Sequence, residues 1–226
     1  MFLRYKNVGV RISRFSGIED KFTEIYHKNY WGNFESVSGK GSTLEATNNL
    51  RRQLPEIFEK FSIKTIFDAP CGDFNWMKEV LKKNKISYIG GDIVRPLIES
   101  HNSNFKNLHT KFLHVDLTKH DFPASDLMIC RDCLFHLTYD QTKLVLQNFI
   151  NSKIPYLLTT THTQRGEFAN KDIETGSFRR IDLFSAPYHF PQDVLSRIDD
   201  SIPNVTQREM CLWSREQIIS AMGKFH

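Results

Sequence analysis

An open α/β sheet, most of its strands parallel and the last one antiparallel, is the fold the sequence predicts, and three observations predict it. Residues 64–74 read KTIFDAPCGDF, in which Thr65, Ile66 and Phe67 suit a short buried strand, Asp68 closes it and a Pro, Cys, Gly turn follows. Apolar runs at 87–94 and 111–115 repeat the pattern, so Asp68, Asp92 and Asp116 stand at the ends of three successive strands. Segments of helical period alternate with these runs. Such a sheet takes its ligand over the carboxyl ends of the strands, beside a helix N-terminus.

The bulk composition sets bounds. A chain of 226 residues with 40% hydrophobic and 12% aromatic content suffices for one globular domain with a sizeable core. The net charge of +4 is modest and its signs are interleaved, which permits an anionic substrate without demanding nucleic acid. No nucleic-acid partner is expected, because no basic stripe with interleaved aromatics stands out. Charges scattered through the first fifteen residues speak against a signal peptide, and no apolar run is long enough to span a bilayer. Cytoplasmic localisation is expected. Cys71, Cys130, Cys133 and Cys211 are too few for a disulfide framework, in keeping with a reducing compartment.

In chain order, residues 1–15 read as an arm or short strand without a motif. Ile18, Phe22, Ile25 and Tyr26 recur at helical spacing and predict a helix over 18–30, leaving Tyr30 and Trp31 beside a loop. That loop, 36–43, reads SVSGKGST, where backbone N–H groups, Lys40 and Ser42 are placed to meet an anion; a flexible linker capped by Thr43 is the alternative. The spacing of a Walker A phosphate loop is absent. A helix should start near Thr43 and break at Pro55, with a second short helix carrying Ile57, Phe58 and Phe61. Residues 1–61 would then form a helical cap, and 62–226 the core.

Beyond the first turn, Asp73 is placed to cap a helix bearing Trp76, Met77, Val80 and Leu81. Asp92 lies about twenty residues further on, where a carboxylate accepts hydrogen bonds from ribose hydroxyls, and Pro96 marks a helix start. Residues 126–137 read DLMICRDCLFHL: a buried strand, then Arg131 and Asp132, charged residues whose placement is functional or an ion pair. Cys130-x-x-Cys133-x-x-His136 has metal-like spacing but no second ligand pair, so the cysteines read as small core residues and no metal is assigned. Thr138-x-x-Gln141 is a capping box for a helix with Leu144, Val145, Phe149 and Ile150 on its apolar side. A fifth strand at 155–161 leads to His162, a base or a loop residue. Polar residues 163–182, with Arg179 and Arg180, read as a substrate loop; a late strand over 205–213 and a helix over 215–222 capped by Ser214 complete the chain.

On these residues the sequence resembles the class I methyltransferases. The run DAPCGDF is similar to their D-x-G-C-G-x-G cofactor loop, matching at Asp68, Cys71 and Gly72 and departing at Pro70 and Phe74, and 126–137 is similar to their fourth strand and its exit. The resemblance implies a Rossmann-like sheet and S-adenosylmethionine held by Asp68, Ala69, Pro70, Cys71, Gly72, Asp73, Asp92, Ile93, Asp116, Leu117 and Cys130. In that family an acidic residue placed as Asp116 meets the adenine amino group and the next N–H a ring nitrogen. It further implies that the N-terminal cap helps form the substrate site, through Tyr30, Trp31, Lys40 and Ser42; Arg179 is placed to pair with an acidic acceptor or is solvated surface. Asp132, His162 and Arg131 are the expected catalytic residues, the first two as bases. The SGKGS loop, DAPCGDFNWM and CRDCLFHL together resemble small bacterial methyltransferases of capsule and surface-polysaccharide synthesis, which implies a small-molecule or saccharide-linked acceptor bearing a sugar hydroxyl, phosphate or phosphoramidate. A nicotinamide-dependent oxidoreductase and a non-catalytic adenosylmethionine-binding protein remain as alternatives.

Overall fold

Among the described residues, seven strands form one sheet in the order β3-β2-β1-β4-β5-β7-β6. The computed structural model describes residues 17–163, 168–202 and 207–225; the expected arm at 1–15 lies outside them. In chain order the elements are α1 (Ile18–His27), α2 (Asn48–Lys60), β1 (Thr65–Asp68), α3 (Met77–Leu81), β2 (Ser87–Asp92), α4 (Arg95–Asn104), β3 (Thr110–His114), β4 (Leu127–Cys130), α5 (Tyr139–Ser152), β5 (Tyr156–His162), β6 (Ser196–Asp199), β7 (Arg208–Ser214) and α6 (Arg215–Met222). β1 pairs in parallel with β2 and with β4, while β7 runs antiparallel to β5 and β6. The chain therefore winds outward from β1 in one direction and from β4 in the other. The gap between those two strands is where such sheets open a ligand crevice.

Alternation along each strand divides the core. Phe67, Met128 and Leu157 face α5 and α6, meeting Val145, Phe149 and Ile218. Ile66, Leu127 and Leu158 face the other way onto α2, α3 and α4, meeting Leu50, Met77 and Ile98. Both faces are covered, as a parallel sheet requires.

Three local expectations are corrected. α2 runs unbroken through Pro55. A proline in a helix costs about 3 kcal/mol, but Leu50, Leu54, Ile57 and Phe58 on both sides of it are buried in one core. At about 1.5–3 kcal/mol for each side chain, that burial outweighs the lost bond. Asp73 does not cap a helix: α3 begins only at Met77, because Phe74 takes a left-handed φ of 60° and is buried among Tyr88, His101, Phe105 and Phe112. The Asp73 carboxylate instead accepts the N–H groups of Val37 and Asn75. α1 ends at His27, three residues short of the expected end, and Asn29 turns the chain with a φ of 45°. β6 had no sequence counterpart. The Thr138 and Ser214 capping boxes are present as expected.

Candidate active site

A cleft of about 500 Å³ opens over the carboxyl ends of β1, β2 and β4. Its floor is the turn after β1. Gly72 has a φ of 53°, and a Cβ there would lie 2.3 Å from Ser38 Oγ, so only glycine fits. Asp92 Oδ2 accepts the Gly72 N–H and Oδ1 the Val94 N–H, both at 3.0 Å. A carboxylate has about four acceptor sites, so two remain for a ligand diol. His101, buried on α4, donates from Nε2 to the Gly72 carbonyl at 2.8 Å and fixes the turn from behind. Asp68 is buried, accepts from the Tyr88 hydroxyl at 2.7 Å, and is raised to about 7 by that burial. At the far end, burial works against the Asp116 carboxylate but hydrogen bonds from Thr118 and Lys119 outweigh it and hold the acid low.

The loop 36–43 folds down onto this floor. Asp73 N–H donates to Ser38 Oγ at 2.9 Å while Val37 N–H donates to the Asp73 carboxylate, a reciprocal staple across 35 residues of chain. Lys40–Ser42 is a single 3₁₀ turn, and the carbonyl of Gly41 accepts from Arg131 at 2.8 Å. A Cβ on Gly41 would come within 3.0 Å of Asp132 Oδ2, so the loop sits directly on the charged residues beneath it.

Those residues form a closed ionic ring. Arg131 binds Asp200 through Nε and Nη2 at 3.0 and 3.1 Å, Arg208 binds Asp132 at 2.8 Å and Asp200 at 3.1 Å, and Arg131 closes the ring on Asp132 at 3.3 Å. The Trp76 ring lies 5.5 Å from the Arg131 guanidinium. Burial would raise Asp132, but the charges of Arg131 and Arg208 prevail and hold it at about 2. Arg131 and Asp132 are thus both cleft-lining and ion-paired. Asp200 and Arg208 were not found in the sequence, because they meet the ring only through the placement of β6 and β7 at the sheet edge.

The other wall is aromatic. Trp31 stacks on His136, with ring centroids 5.5 Å apart and planes at 30°, and Tyr26, Tyr30, Phe135 and Phe178 line the same end. His136 Nδ1 lies 2.8 Å from the Ser177 carbonyl oxygen, which can only accept, so Nδ1 carries the proton and Nε2 keeps its lone pair. Burial lowers the basicity of this imidazole.

Of the expected cofactor residues, Asp68, Pro70, Cys71, Gly72, Asp92, Ile93, Asp116 and Leu117 line the cleft, as do Tyr30, Trp31, Lys40, Ser42, Arg131 and Asp132. Ala69, Asp73 and Cys130 do not: Ala69 and Cys130 are buried in the sheet core, and Asp73 faces the staple. His162 does not line it either. It is buried beneath Phe135 and Phe178, accepts the Ile181 N–H, and is lowered to about 4 by burial and by Arg208. Arg179 is buried away from the cleft on Asp172, the Tyr188 hydroxyl and the Tyr139 ring; its neighbour Arg180 reaches the cleft instead. Of the two expected bases, Asp132 lines the cleft but is paired with two guanidiniums that lower its basicity, and His162 is enclosed beneath Phe135 and Phe178. Among the described residues no His, Cys, Asp and Glu cluster could hold a metal ion, and no helix is long and apolar enough to cross a membrane.

The fold, a seven-stranded sheet in the order described, is shared with solved structures. The fold is that of the class I methyltransferases. A Leishmania major S-adenosylmethionine-dependent methyltransferase superposes with a TM-score of 0.63 at 12% identity, covering 88% of this chain and 87% of that one. A Burkholderia thailandensis 1,6-didemethyltoxoflavin-N1-methyltransferase with bound 1,6-didemethyltoxoflavin and S-adenosylhomocysteine gives 0.60 at 12%, covering 90% and 92%. Human N-acetylserotonin methyltransferase in complex with S-adenosylmethionine gives 0.60 at 15%, covering 88% of this chain, which spans 60% of the human enzyme's length. No protein-family model and no curated protein matches the chain by sequence. β7, inserted between β5 and β6, brings Arg208 to the cleft and Asp200 beneath it.

Proposed function

We propose that the protein is an S-adenosylmethionine-dependent methyltransferase acting on a small acceptor. The observation that carries this reading is the glycine-only turn at Gly72, locked between Asp92 and His101, with Asp116 at the far end of one continuous cleft. That spacing suits an adenosine: Asp92 takes the ribose hydroxyls, Asp116 and Leu117 border the adenine, and the turn at 70–72 borders the amino-acid end. Bound S-adenosylmethionine supplies an electrophilic methyl group there.

The chain's own residues orient the acceptor and take its proton. Orientation is the larger part, because a preformed near-attack pair avoids a large entropic cost. For a hydroxyl acceptor, His136 is the base: its Nε2 lone pair is fixed in direction by the Nδ1–H bond to Ser177, and the imidazole is neutral at physiological pH. The ionic ring holds the β4 exit and the Gly41 loop at fixed separation, so Arg131 and Asp132 position the site without exchanging protons. Transfer to a sugar hydroxyl, phosphate or phosphoramidate in surface-polysaccharide assembly is the finer reading, supported by the resemblance of the SGKGS, DAPCGDFNWM and CRDCLFHL segments. We place the protein in the cytoplasm; of the expected cap over 1–61, α1 and the loop 36–43 border the cleft, while α2 packs in the core.

Calorimetric titration with S-adenosylhomocysteine tests the proposal. Micromolar binding, weakened about 100-fold in Asp92→Ala by the loss of two ribose hydrogen bonds and the Gly72 anchor, is the expected result. No binding to the intact protein, or equal binding of NAD, would overturn it.

A further inference from the structure

The two walls of the cleft differ in unspent charge. On the strand side each carboxylate already has donors: Asp68 from Tyr88, Asp92 from Gly72 and Val94, Asp116 from Thr118 and Lys119, Asp132 from Arg208. The buried guanidiniums of Arg131, Arg179 and Arg208 are likewise occupied by Asp200, Asp172 and Asp132. On the opposite wall Lys40 and Arg180 line the cleft, are exposed at its mouth, and form no ion pair with any described residue. They come from segments far apart in sequence, the cap loop and the stretch after β5, yet face one volume.

The aromatic side chains around that volume include Tyr26, Tyr30, Trp31, Phe135 and Phe178. Trp31 is held flat by its stack on His136, and Phe178 packs edge-on to Phe135 and lies 6.2 Å from His136. Fixed aromatic faces beside a fixed base accept a ring rather than a flexible chain, since a ring stacks without losing rotamer freedom. Cations without counter-charges at the mouth of a mainly apolar cleft select an oxyanion, and a guanidinium does so with paired, directional hydrogen bonds.

We infer that the methyl acceptor is a ring-borne oxyanion, its ring lying along Trp31 beside His136 and its carboxylate or phosphate held by Arg180 and Lys40. This rests on the methyltransferase reading of the cleft. It fits an aromatic acid and an acidic sugar equally, because both present a flat apolar face and an oxyanion.

The test uses the full chain saturated with S-adenosylhomocysteine and two pairs of probes by calorimetry: 4-hydroxybenzoate against 4-hydroxybenzyl alcohol, and glucuronate against glucose. The anion of at least one pair should bind at millimolar concentration or tighter, about tenfold more tightly than its neutral partner. The pair that shows the preference identifies an aromatic or a pyranose acceptor. Arg180→Met should abolish the preference and leave S-adenosylhomocysteine affinity unchanged, whereas Arg52→Met, which removes the same charge from exposed α2, should retain it. Neutral probes binding as well as anions, no anion binding, or a preference that survives Arg180→Met would each overturn the inference while the methyltransferase reading stands. Failure of S-adenosylhomocysteine itself to bind would remove both.

Discussion

The end of the cleft proposed to hold the cofactor and the end proposed to hold the acceptor are built on opposite plans. At the cofactor end the polar groups are buried and already bonded to one another: Asp92 to Gly72, Gly72 to His101, Asp68 to Tyr88. At the acceptor end Trp31, Tyr30, Phe178, Lys40 and Arg180 are exposed, and Lys40 and Arg180 have no ion-pair partner among the described residues. A ligand met by the first end finds donors and acceptors preorganised, so little is lost in ordering them. The second end is left to be completed by its ligand, and that is where chemistry and specificity must be sought.

The largest effect that would break this contrast lies at His136. His136→Gln keeps a Ser177 partner and removes the base, so kcat for a hydroxyl acceptor should fall about 10²–10⁴-fold with S-adenosylhomocysteine affinity retained. Burial lowers this imidazole from its ordinary 6.5, so the neutral, active form persists below that pH. The acid limb of kcat/KM should therefore lie below pH 6.5 in the wild type and vanish in the variant. An unchanged limb would assign the base elsewhere.

That residue also shows where sequence reading stops. The three strand-end carboxylates are legible because each is set by local pattern, an apolar run closed by an acid, and the fold follows from their order. The role of His136 is not, because it depends on a carbonyl 41 residues away. Arg131 and Asp132 were visible as misplaced charges, but Asp200 and Arg208 meet them only after β7 has slid between β5 and β6. His162 and Arg179 misled for the opposite reason. His162 stands at the end of β5 and Arg179 in the stretch after it, as expected, but their side chains turn inward, to Ile181 and to Tyr188.

The ionic ring sits under both ends, and breaking it should loosen them together. Asp200→Asn leaves the buried guanidiniums of Arg131 and Arg208 with one carboxylate between them, a loss of about 3–5 kcal/mol by chemical denaturation. Asp132 offers a milder version with a pH signature. Its folded-state acidity is held at about 2, below the ordinary 3.8, so its contribution is fully present above pH 4 and is lost as pH falls through about 2. The melting-temperature gap between wild type and Asp132→Asn should shrink over that window and stay constant above it.

Trp31→Ala addresses the acceptor end alone. The ring stacks on His136 and borders Gly39. Its removal should raise the acceptor KM about tenfold, the worth of one aromatic stack and its buried area, with S-adenosylhomocysteine affinity unchanged. Equal losses for both ligands would mean that the two ends are one site.

The smallest effect, at Ser38, decides how the ends are joined. Its Oγ accepts the Asp73 N–H and fills the space where a Cβ on Gly72 would go, so one side chain both staples the cap loop and reserves the cofactor turn for glycine. Ser38→Ala should cost about 1 kcal/mol of stability, the net value of one hydrogen bond. Gly72→Ala suffers twice, from the 2.3 Å approach to Ser38 Oγ and from its φ of 53°. Replacing Ser38 by glycine as well removes the first penalty and leaves the second. The double variant should therefore recover part of the stability lost by Gly72→Ala, with a coupling of about 1 kcal/mol or more in a double-mutant cycle. Simple additivity would mean that the cap loop is not seated on the cofactor turn, and that the two ends of the cleft close independently.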